Sequence, residues 1–261
     1  MEDNLGMNVV VCVKQIPDPA SPGKLDPSTK TLVREGKLVV DDSDMYGIEM
    51  ALQLVGTAGG GEVTLVSMAP NNETAGLRTG LAMGAAKAIL VSDDSLKGAD
   101  SLTTAKVLAA AIKRVSPDLV IAATESTDGY TGTLPVQVAE LLGFPSITFA
   151  KSVSTDGTTV KVDRQTEAGY DEVESPLPAV VTVTAGVVEP RYPSFKGIMA
   201  AKGKPVEQLT VADLDIEGGV AVTQQVTDVV AAEARKAGEI VTDEGDAHER
   251  IVQFLEQLKV I

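Results

Sequence analysis

The stretch that decides the fold is residues 119–142, LVIAATESTDGYTGTLPVQVAELL. Its first residues, Leu119–Ala123, are all apolar, which is typical of a strand covered on both faces. Val136–Leu142 then has apolar residues at helical spacing, and a loop of small, hydroxyl-bearing and glycine residues joins the two. A buried strand followed by a loop and a helix is the building block of a parallel sheet.

The same unit repeats along the chain. Further strands are predicted at Val9–Val13, Val63–Ser67, Ala88–Val91 and Val180–Thr184. Further helices are predicted at Tyr46–Val55, Thr74–Met83 and Ser101–Val115. This alternation predicts an α/β fold with a doubly wound, mostly parallel sheet.

Two segments depart from the alternation. Ile147–Val162 contains two β-like runs around the Asp-Gly pair of Ser154–Thr158, which predicts a small β-hairpin. Residues 211–261 have little apolar patterning before Ile251–Leu258, which has helical spacing. We therefore expect an α/β domain over residues 1–210 and a C-terminal extension over 211–261. The extension is either a flexible end or an arm around a partner, and its apolar helix face favours the arm.

Composition and charge exclude several classes of function. The chain has 261 residues, of which 44% are hydrophobic and 23% charged, as in globular proteins. The net charge of −15 argues against nucleic acid and anionic membranes as partners. One Cys and one His exclude internal disulfides, Cys-ligated clusters and sites that need two His ligands, so no metal site is predicted.

The sequence also bears on localisation. No apolar stretch approaches the roughly 20 residues that cross a bilayer, so the chain is not expected to be membrane-embedded. The opening MEDNLGMNVV lacks the basic and hydrophobic regions of a signal peptide. With a single Cys, the expected compartment is the cytoplasm.

The loop after Leu119–Ala123 is the best candidate for a nucleotide site, since ligands of doubly wound sheets bind at the carboxyl ends of strands. Glycine-rich NAD-binding and P-loop motifs are absent, and Gly59–Gly61 precedes a strand, as an ordinary turn would. The loop exposes backbone N–H groups at a helix N-terminus, where an anion is favoured. The alternative is a simple capping loop, but connections in such folds usually have only about 2–6 residues.

Other strand ends would face the same crevice. Cys12 ends the first strand, Met68 follows another, and Asp41–Asp44 precedes a helix. Each also has an ordinary interpretation, as a core residue, a gap-filling side chain and a helix cap respectively.

A second unusual segment is residues 188–205, VEPRYPSFKGIMAAKGKP. It places Arg191, Tyr192, Phe195 and Met199 among prolines and glycines, in what we predict is a rigid but irregular loop. That composition is typical of a protein contact surface. The alternative is a loop held on its own core by Phe195 and Ile198.

This segment resembles the signature of the β subunit of electron transfer flavoprotein, NEPRxxxxxxIMxAKxK. The resemblance extends from the first strand to about residue 215, and the tail is similar in length and character. The other matching segments are VVVCVKQIPDP, LRTGLAMGAAKAIL, ATESTDGYTGTLP, AELLGFP and LPAVVTV.

The resemblance implies a Rossmann-like fold of the adenine nucleotide alpha hydrolase-like type and an electron carrier rather than an enzyme. The family is a heterodimer with an α subunit that holds most of the FAD, while the β subunit binds AMP structurally. Electrons pass from flavin dehydrogenases, such as the acyl-CoA dehydrogenases of fatty acid oxidation, to a quinone oxidoreductase.

By position, the resemblance implies one nucleotide site and one partner-recognition loop. The nucleotide site would comprise Cys12, Asp41, Asp42, Ser43, Asp44, Met68, Ala123, Thr124, Glu125, Ser126, Thr127, Asp128, Gly129, Tyr130, Thr131, Gly132, Thr133 and Leu134. The recognition loop would comprise Arg191, Tyr192, Pro193, Ser194, Phe195, Lys196, Gly197, Ile198, Met199 and Ala200.

Two departures from the family pattern are visible. Asp41-Asp42-Ser43 stands where family members often have Asn-Pro-Phe, so these carboxylates are expected to touch the ribose or adenine or to point away from a phosphate. Phe195 stands where the apolar anchor is commonly Leu, which could shift the dehydrogenase preference. Three alternatives remain: a bifurcating β subunit with a second FAD, a stand-alone ATP-binding module of the universal-stress type, and a small enzyme acting through Asp128 and Glu125.

Overall fold

The computed structural model describes residues 6–21, 23–34, 36–69, 71–230, 238 and 240–261. The strands are β1 Met7–Cys12, β2 Gln15–Pro17, β3 Leu38–Val40, β4 Gly61–Met68, β5 Lys87–Val91, β6 Leu119–Ala123, β7 Ser146–Thr155, β8 Thr159–Thr166, β9 Gly169–Pro176, β10 Ala179–Val183 and β11 Val206–Leu209. The helices are α1 Asp42–Thr57, α2 Ala75–Met83, α3 Ser101–Lys113, α4 Leu134–Leu142, α5 Phe195–Ala201 and α6 Ala247–Gln257. All the strands and helices predicted from the sequence are present.

The main sheet has the strand order β11-β5-β4-β1-β6-β10-β7-β8-β9. From β11 to β7 neighbouring strands are parallel, and β7, β8 and β9 pair antiparallel. The chain runs outward from β1 to β4 and β5, then returns to β6 on the other side of β1. The doubly wound α/β fold is therefore confirmed, and its topological switch point lies between β1 and β6.

Helices cover both faces of the sheet. Val9 and Val11 of β1 join one core layer together with apolar residues of α1 and α2. Val10 and Cys12 join the opposite layer, which includes residues of α3 and α4. Because successive side chains of a strand point to opposite faces, a strand covered on both sides must be apolar throughout.

The antiparallel part of the sheet is larger than the predicted hairpin. β7 and β8 are the two predicted runs, and β9 adds a third strand paired along the whole of β8. The sequence of β9, GYDEVESP, is mostly polar and exposed, so no apolar pattern marks it as a strand. A separate two-stranded sheet joins β2 to β3.

One prediction for residues 188–205 was wrong, because Phe195–Ala201 forms the short helix α5 rather than an irregular loop. Ser194 caps this helix, its side chain accepting a hydrogen bond from the backbone N–H of Gly197 at 3.1 Å. Prolines and glycines suggested an irregular path, but the prolines lie outside the helix, where they cost no helical hydrogen bond.

Two compact units are present, one ending at Val226 and the other spanning Thr227–Ile261. Residues 211–226 of the predicted extension therefore pack with the α/β domain. Asp100 accepts a hydrogen bond from the backbone N–H of Thr223 at 2.7 Å, and Ile216 packs against the core. An extension that wraps a partner stays a prediction.

The second unit contains α6, the helix predicted from Ile251–Leu258. Ile251 and Phe254 of this helix and Leu258, the residue that follows it, are exposed and lie at helical spacing along one face. Among the residues that the structure describes, no helix is long and apolar enough to cross a membrane.

Candidate functional site

Three of the predicted nucleotide-site residues lie at the ends of neighbouring strands. Cys12 ends β1, Met68 ends β4 and Ala123 ends β6, and β1 lies between the other two strands. Cys12 is buried in the core layer beneath α3 and α4. Met68 is partly buried and packs against the same core layer. The loop from Ala123 to Leu134 starts at this edge, next to the switch point.

Asp41 ties the start of α1 to this loop. Its side chain is fully buried and accepts hydrogen bonds from the backbone N–H of Thr127 at 2.7 Å and from the Thr127 hydroxyl at 3.0 Å. Its other oxygen caps α1 by accepting from the N–H of Ser43 at 3.0 Å. This carboxylate is thus used inside the protein, while Asp42, in the first turn of α1, is exposed.

Asp44 and Cys12 form a buried acidic pair behind the loop. Asp44 accepts a hydrogen bond from the N–H of Lys14 at 2.6 Å. Burial raises the pKa of Asp44 well above its usual range, because the charged form loses its hydration. Burial raises the pKa of the Cys12 thiol to about 12, and the neighbouring Asp44 adds to that rise. The thiol is therefore not a nucleophile at neutral pH.

Two cations meet at Asp128 of the loop. The ammonium of Lys14 lies 2.5 Å from one carboxylate oxygen, and the guanidinium of Arg34 lies 2.5 Å from the other. Lys14 also donates to the hydroxyl of Ser126 at 3.1 Å. Burial disfavours the charged form of Asp128, but the hydrogen bonds and charges of the two cations outweigh it and lower its pKa.

The loop leaves polar groups available for a ligand. In the described part of the chain, the backbone N–H groups of Gly129, Thr131, Gly132 and Thr133 donate to no protein acceptor. Gly132 has φ +69°, a conformation that strains other residues. Tyr130 also has a positive φ, +48°, and its side chain is exposed. Free N–H groups, hydroxyls and two partly exposed cations fit an anion such as a phosphate.

The rest of the surface offers other features. An open cleft of 630 Å³ lies at the amino ends of strands β6 and β10, opposite the strand ends that carry the candidate site. Its lining includes Lys113, Phe144 and Leu177. Within the described ranges, no group of three or more His, Cys, Asp or Glu side chains is arranged to hold a metal ion.

The predicted recognition loop presents apolar side chains outward. Tyr192 is 89% exposed and Phe195 is 81% exposed, and both Ile198 and Met199 are about half exposed. Large apolar groups exposed together at the surface are typical of a protein contact surface. The alternative that Phe195 and Ile198 hold the loop on its own core is wrong, since both are exposed.

The base of this loop is tied to α2. A Cβ added to Gly197 would lie 2.3 Å from the carbonyl oxygen of Ala82, so only glycine allows α5 to pack this closely. Arg78 donates to the carbonyls of Ala201 at 2.7 Å and Lys204 at 2.8 Å. In return, Lys204 donates to the carbonyl of Leu81 in the last turn of α2 and to that of Ala85, just after the helix. These cations satisfy carbonyls that helix ends leave without partners.

Several of these residues were not identified from the sequence. Lys14 and Arg34 lie 114 and 94 residues from Asp128 along the chain, so no local pattern links them to it. Glu49 of α1 is buried and pairs with Arg191, which is 142 residues away. The available indication in the sequence was that Glu49 stands between the apolar residues Ile48 and Met50 of a predicted helix, where a charged side chain needs a partner.

Comparison with known proteins bears on this arrangement. The sequence pattern of the electron transfer flavoprotein domain matches residues 29–214, well over half of the chain. The electron transfer flavoprotein subunit beta of Mycobacterium tuberculosis is 41% identical over 264 aligned residues, which cover 97% of this chain and 99% of that protein. The chain belongs to the electron transfer flavoprotein β-subunit family.

Two other relatives of this β subunit come from different bacteria. The subunit beta of Thermoanaerobacterium thermosaccharolyticum is 36% identical, over 97% of this chain and 98% of that protein. The caffeyl-CoA reductase-Etf complex subunit CarD of Acetobacterium woodii is 35% identical, over 90% of this chain and 92% of that protein. The family resemblance inferred from the sequence motifs is therefore confirmed, and with it a role in electron transfer.

Proposed function

We propose that this β subunit binds AMP at the carboxyl ends of β1, β4 and β6, in the loop from Ala123 to Leu134. The observation that carries this proposal is the set of donors gathered there. Lys14 and Arg34 meet on Asp128 while staying partly exposed, with 37% and 25% of their side chains accessible. The loop that carries Asp128 also has backbone N–H groups without an acceptor in the described ranges of the protein, at Gly129 and at residues 131–133, and together these donors match a phosphate better than a neutral ligand.

Asp41 and Asp44, which lie just before α1 and in its first turn, form hydrogen bonds inside the protein rather than facing the phosphate. Asp41 is fully buried on Thr127 and α1, and Asp44 is buried and accepts a hydrogen bond from the backbone N–H of Lys14. Of the two aspartates that stand in the place of the family's Asn-Pro, only Asp42 exposes its carboxylate. A phosphate on the loop therefore meets less repulsion than the sequence suggests.

The second part of the proposal concerns partners. The chain forms a heterodimer with an α subunit, around which the part of the extension beyond Val226 wraps with the apolar face of α6. The flavin of this heterodimer, FAD held mainly by the α subunit, carries the electrons. This chain has no substrate turnover of its own and passes no electrons without that flavin.

The recognition loop, Arg191–Ala200, docks a flavin dehydrogenase, with Phe195 as the apolar anchor. Its exposed aromatic side chains on a fixed base support this role. The Acetobacterium woodii relative is named as part of a caffeyl-CoA reductase complex, which supports a partner that acts on acyl-CoA substrates. An acyl-CoA dehydrogenase is the expected donor and a quinone oxidoreductase the expected acceptor, as in fatty acid oxidation.

The test is to co-purify the chain with its α subunit, denature the complex and identify the released nucleotides by mass spectrometry. We expect one FAD and one AMP per heterodimer. Two FAD molecules would favour the alternative, a β subunit with a second FAD of its own. A chain that purifies alone with ATP, or with no nucleotide, would contradict the proposal and favour a stand-alone nucleotide-binding module.

A further inference from the structure

The recognition loop is attached to α1 through one buried carboxylate. Glu49, near the middle of α1, is only 3% exposed. Its two oxygens accept from Nε of Arg191 at 2.6 Å and from the terminal NH2 nitrogen of Arg191 at 2.9 Å. The backbone N–H of Arg191 also donates to Glu49, at 3.3 Å. Gln53, one turn further along α1, donates to the same carboxylate at 2.9 Å.

The rest of the loop has no comparable attachment at this end. Among the described residues, the hydrogen bonds from Arg191 to Glu49 are those that join residues 189–194 to the body of the fold. The other end of the loop has separate ties, since Gly197, Arg78 and Lys204 fix α5 against α2. The position of residues 189–194, which include Tyr192 and the cap residue Ser194, therefore depends on Glu49.

The pairing has the geometry of a positioning contact rather than a surface ion pair. A guanidinium that donates two parallel hydrogen bonds to one carboxylate is fixed in direction as well as in distance. Burial disfavours a charged Glu49, but the hydrogen bonds from Arg191 and Gln53 outweigh it and lower the pKa of this carboxyl. The same pairing raises the pKa of Arg191, so both groups stay charged at neutral pH.

The direction of Arg191 also changes its role. In the sequence, this residue was expected to be part of the contact surface itself. Its guanidinium pairs with the buried Glu49, while 48% of the Arg191 side chain stays exposed beside the more fully exposed side chains of Tyr192 and Phe195. Arg191 therefore also fixes the position of the loop that carries these apolar groups.

We propose that Glu49 is a positioning residue for partner docking, which holds the recognition loop through Arg191 so that Tyr192 and Phe195 meet the dehydrogenase in a fixed arrangement. This inference rests on the proposed docking function of the loop. Pre-ordering the loop removes an entropy cost that docking would otherwise include. Loss of the pair should therefore weaken docking without changing the electron transfer step inside the docked complex.

The test uses the complete, flavin-loaded heterodimer with Glu49→Gln. This change keeps the shape of the side chain but removes its charge. The matched control is Glu62→Gln, which removes the same charge from an exposed pair with Lys87 at the start of β4. If Glu49→Gln does not assemble with the α subunit, Arg191→Lys replaces it, because Lys keeps the charge but cannot form the two parallel bonds.

The first measurement is hydrogen exchange of the amides of residues 195–201, followed by mass spectrometry. In α5, the N–H of Ile198 donates to the carbonyl of Ser194 at 2.9 Å, and loss of the loop's attachment should expose it more often. We expect exchange to become roughly tenfold faster in Glu49→Gln and to stay unchanged in Glu62→Gln.

The second measurement is flavin reduction by an acyl-CoA dehydrogenase at varied heterodimer concentrations. We expect KM for the heterodimer to rise roughly tenfold to a hundredfold in Glu49→Gln, with kcat unchanged. A merely structural role would not produce this separation. A fall in kcat at constant KM, or lower thermal stability without faster exchange in α5, would overturn the inference.

Phe195→Ala distinguishes failure of this inference from failure of the docking function. If Phe195→Ala raises KM and Glu49→Gln does not, the docking surface stands and Glu49 does not position it. If neither variant changes KM, the loop is not the docking surface and both proposals fall. If both raise KM and only Glu49→Gln speeds exchange in α5, positioning through Arg191 is supported.

Discussion

The loop at the strand ends, from Ala123 to Leu134, and the recognition loop, Arg191–Ala200, use charge in opposite ways. In the first, Asp128 pairs with the partly exposed cations of Lys14 and Arg34. The other groups that this loop offers to a ligand are polar N–H groups and hydroxyls. In the second, the charge of Arg191 is paired with the buried Glu49, and the large exposed side chains are those of Tyr192, Phe195, Ile198 and Met199. A small anion suits the first surface and a protein suits the second. The two regions should therefore respond to different variants.

The largest effect is expected from Gly132→Asp, which adds both strain and charge to the first loop. Gly132 has φ +69°, and a Cβ there would lie 3.6 Å from a carboxylate oxygen of Glu125. Strain of this kind costs about 1–3 kcal/mol, before the repulsion of a phosphate by the new carboxylate is added. Most of the bound nucleotide should be lost, as measured by mass spectrometry of the denatured heterodimer.

Gly132→Ala is the matched control, because it has the strain without the charge and should lose less nucleotide. Because docking is assigned to the recognition loop, we expect Gly132→Asp to leave the KM of the assembled heterodimer with the dehydrogenase unchanged. Full retention of AMP in Gly132→Asp would show that this loop does not hold the nucleotide.

Phe195→Ala should have the next largest effect, on the other loop. Removing a central aromatic anchor typically costs about 2 kcal/mol or more of docking free energy, or roughly 30-fold in KM. Steady-state flavin reduction over a range of concentrations measures it, and the AMP content should stay at the wild-type level. Phe149→Ala is a suitable comparison, since it removes another exposed aromatic ring on β7. Equal KM values for Phe195→Ala and the wild type would show that Phe195 does not anchor the dehydrogenase.

Lys14→Met should weaken nucleotide binding by a smaller amount. A hydrogen bond to a charged group contributes about 1.5–3 kcal/mol, so the nucleotide should dissociate roughly tenfold or more faster. The rate can be followed by exchange against labelled AMP. Lys161→Met, which breaks an exposed pair with Glu174 on the hairpin, is the control and should have no effect. Equal dissociation rates in the two variants would place the phosphate elsewhere.

The smallest effect is expected on the pH dependence of the unfolding free energy, through the thiol of Cys12. An unfolded thiol ionises near pH 9.0, whereas the folded pKa is about 12, so the unfolded state loses its proton first. The thiol's contribution to stability is therefore complete below pH 9 and is lost as the pH rises towards 12. Between those values, Cys12→Ala should reduce the slope of the unfolding free energy by at most about 1.4 kcal/mol per pH unit. Parallel curves from urea unfolding at several alkaline pH values would contradict the buried, protonated thiol.

The parallel sheet was predictable because its strands are buried on both faces, so runs such as LVIAA stand out. The edge strand β9 was not, since its exposed residues leave no pattern of apolar side chains. The helix α5 was missed because Pro190, Pro193 and Gly197 suggested a break, while the cap at Ser194 is a weaker indication.

The sites divide in the same way. The loop from Ala123 to Leu134 was predicted from its length and composition, as were the exposed aromatic groups of the recognition loop. Arg34 and Glu49, which hold these two loops in place, could not be predicted, because each pairs with a residue far away in sequence. Arg34 lies in a stretch without regular structure, and only the folded arrangement brings it to Asp128.

The acidic character of the sheet edges bears on how copies of this protein behave at high concentration. The outermost strands are β9, with exposed Asp171, Glu172 and Glu174, and β11, with Glu207. An open strand edge is a template on which a second chain can add and begin a fibre. Negative charge on both edges, in a chain of net charge −15, makes two copies repel one another where they could join. That protection weakens as the solution approaches the isoelectric point near pH 4.5, where aggregation should begin at the edges of the sheet.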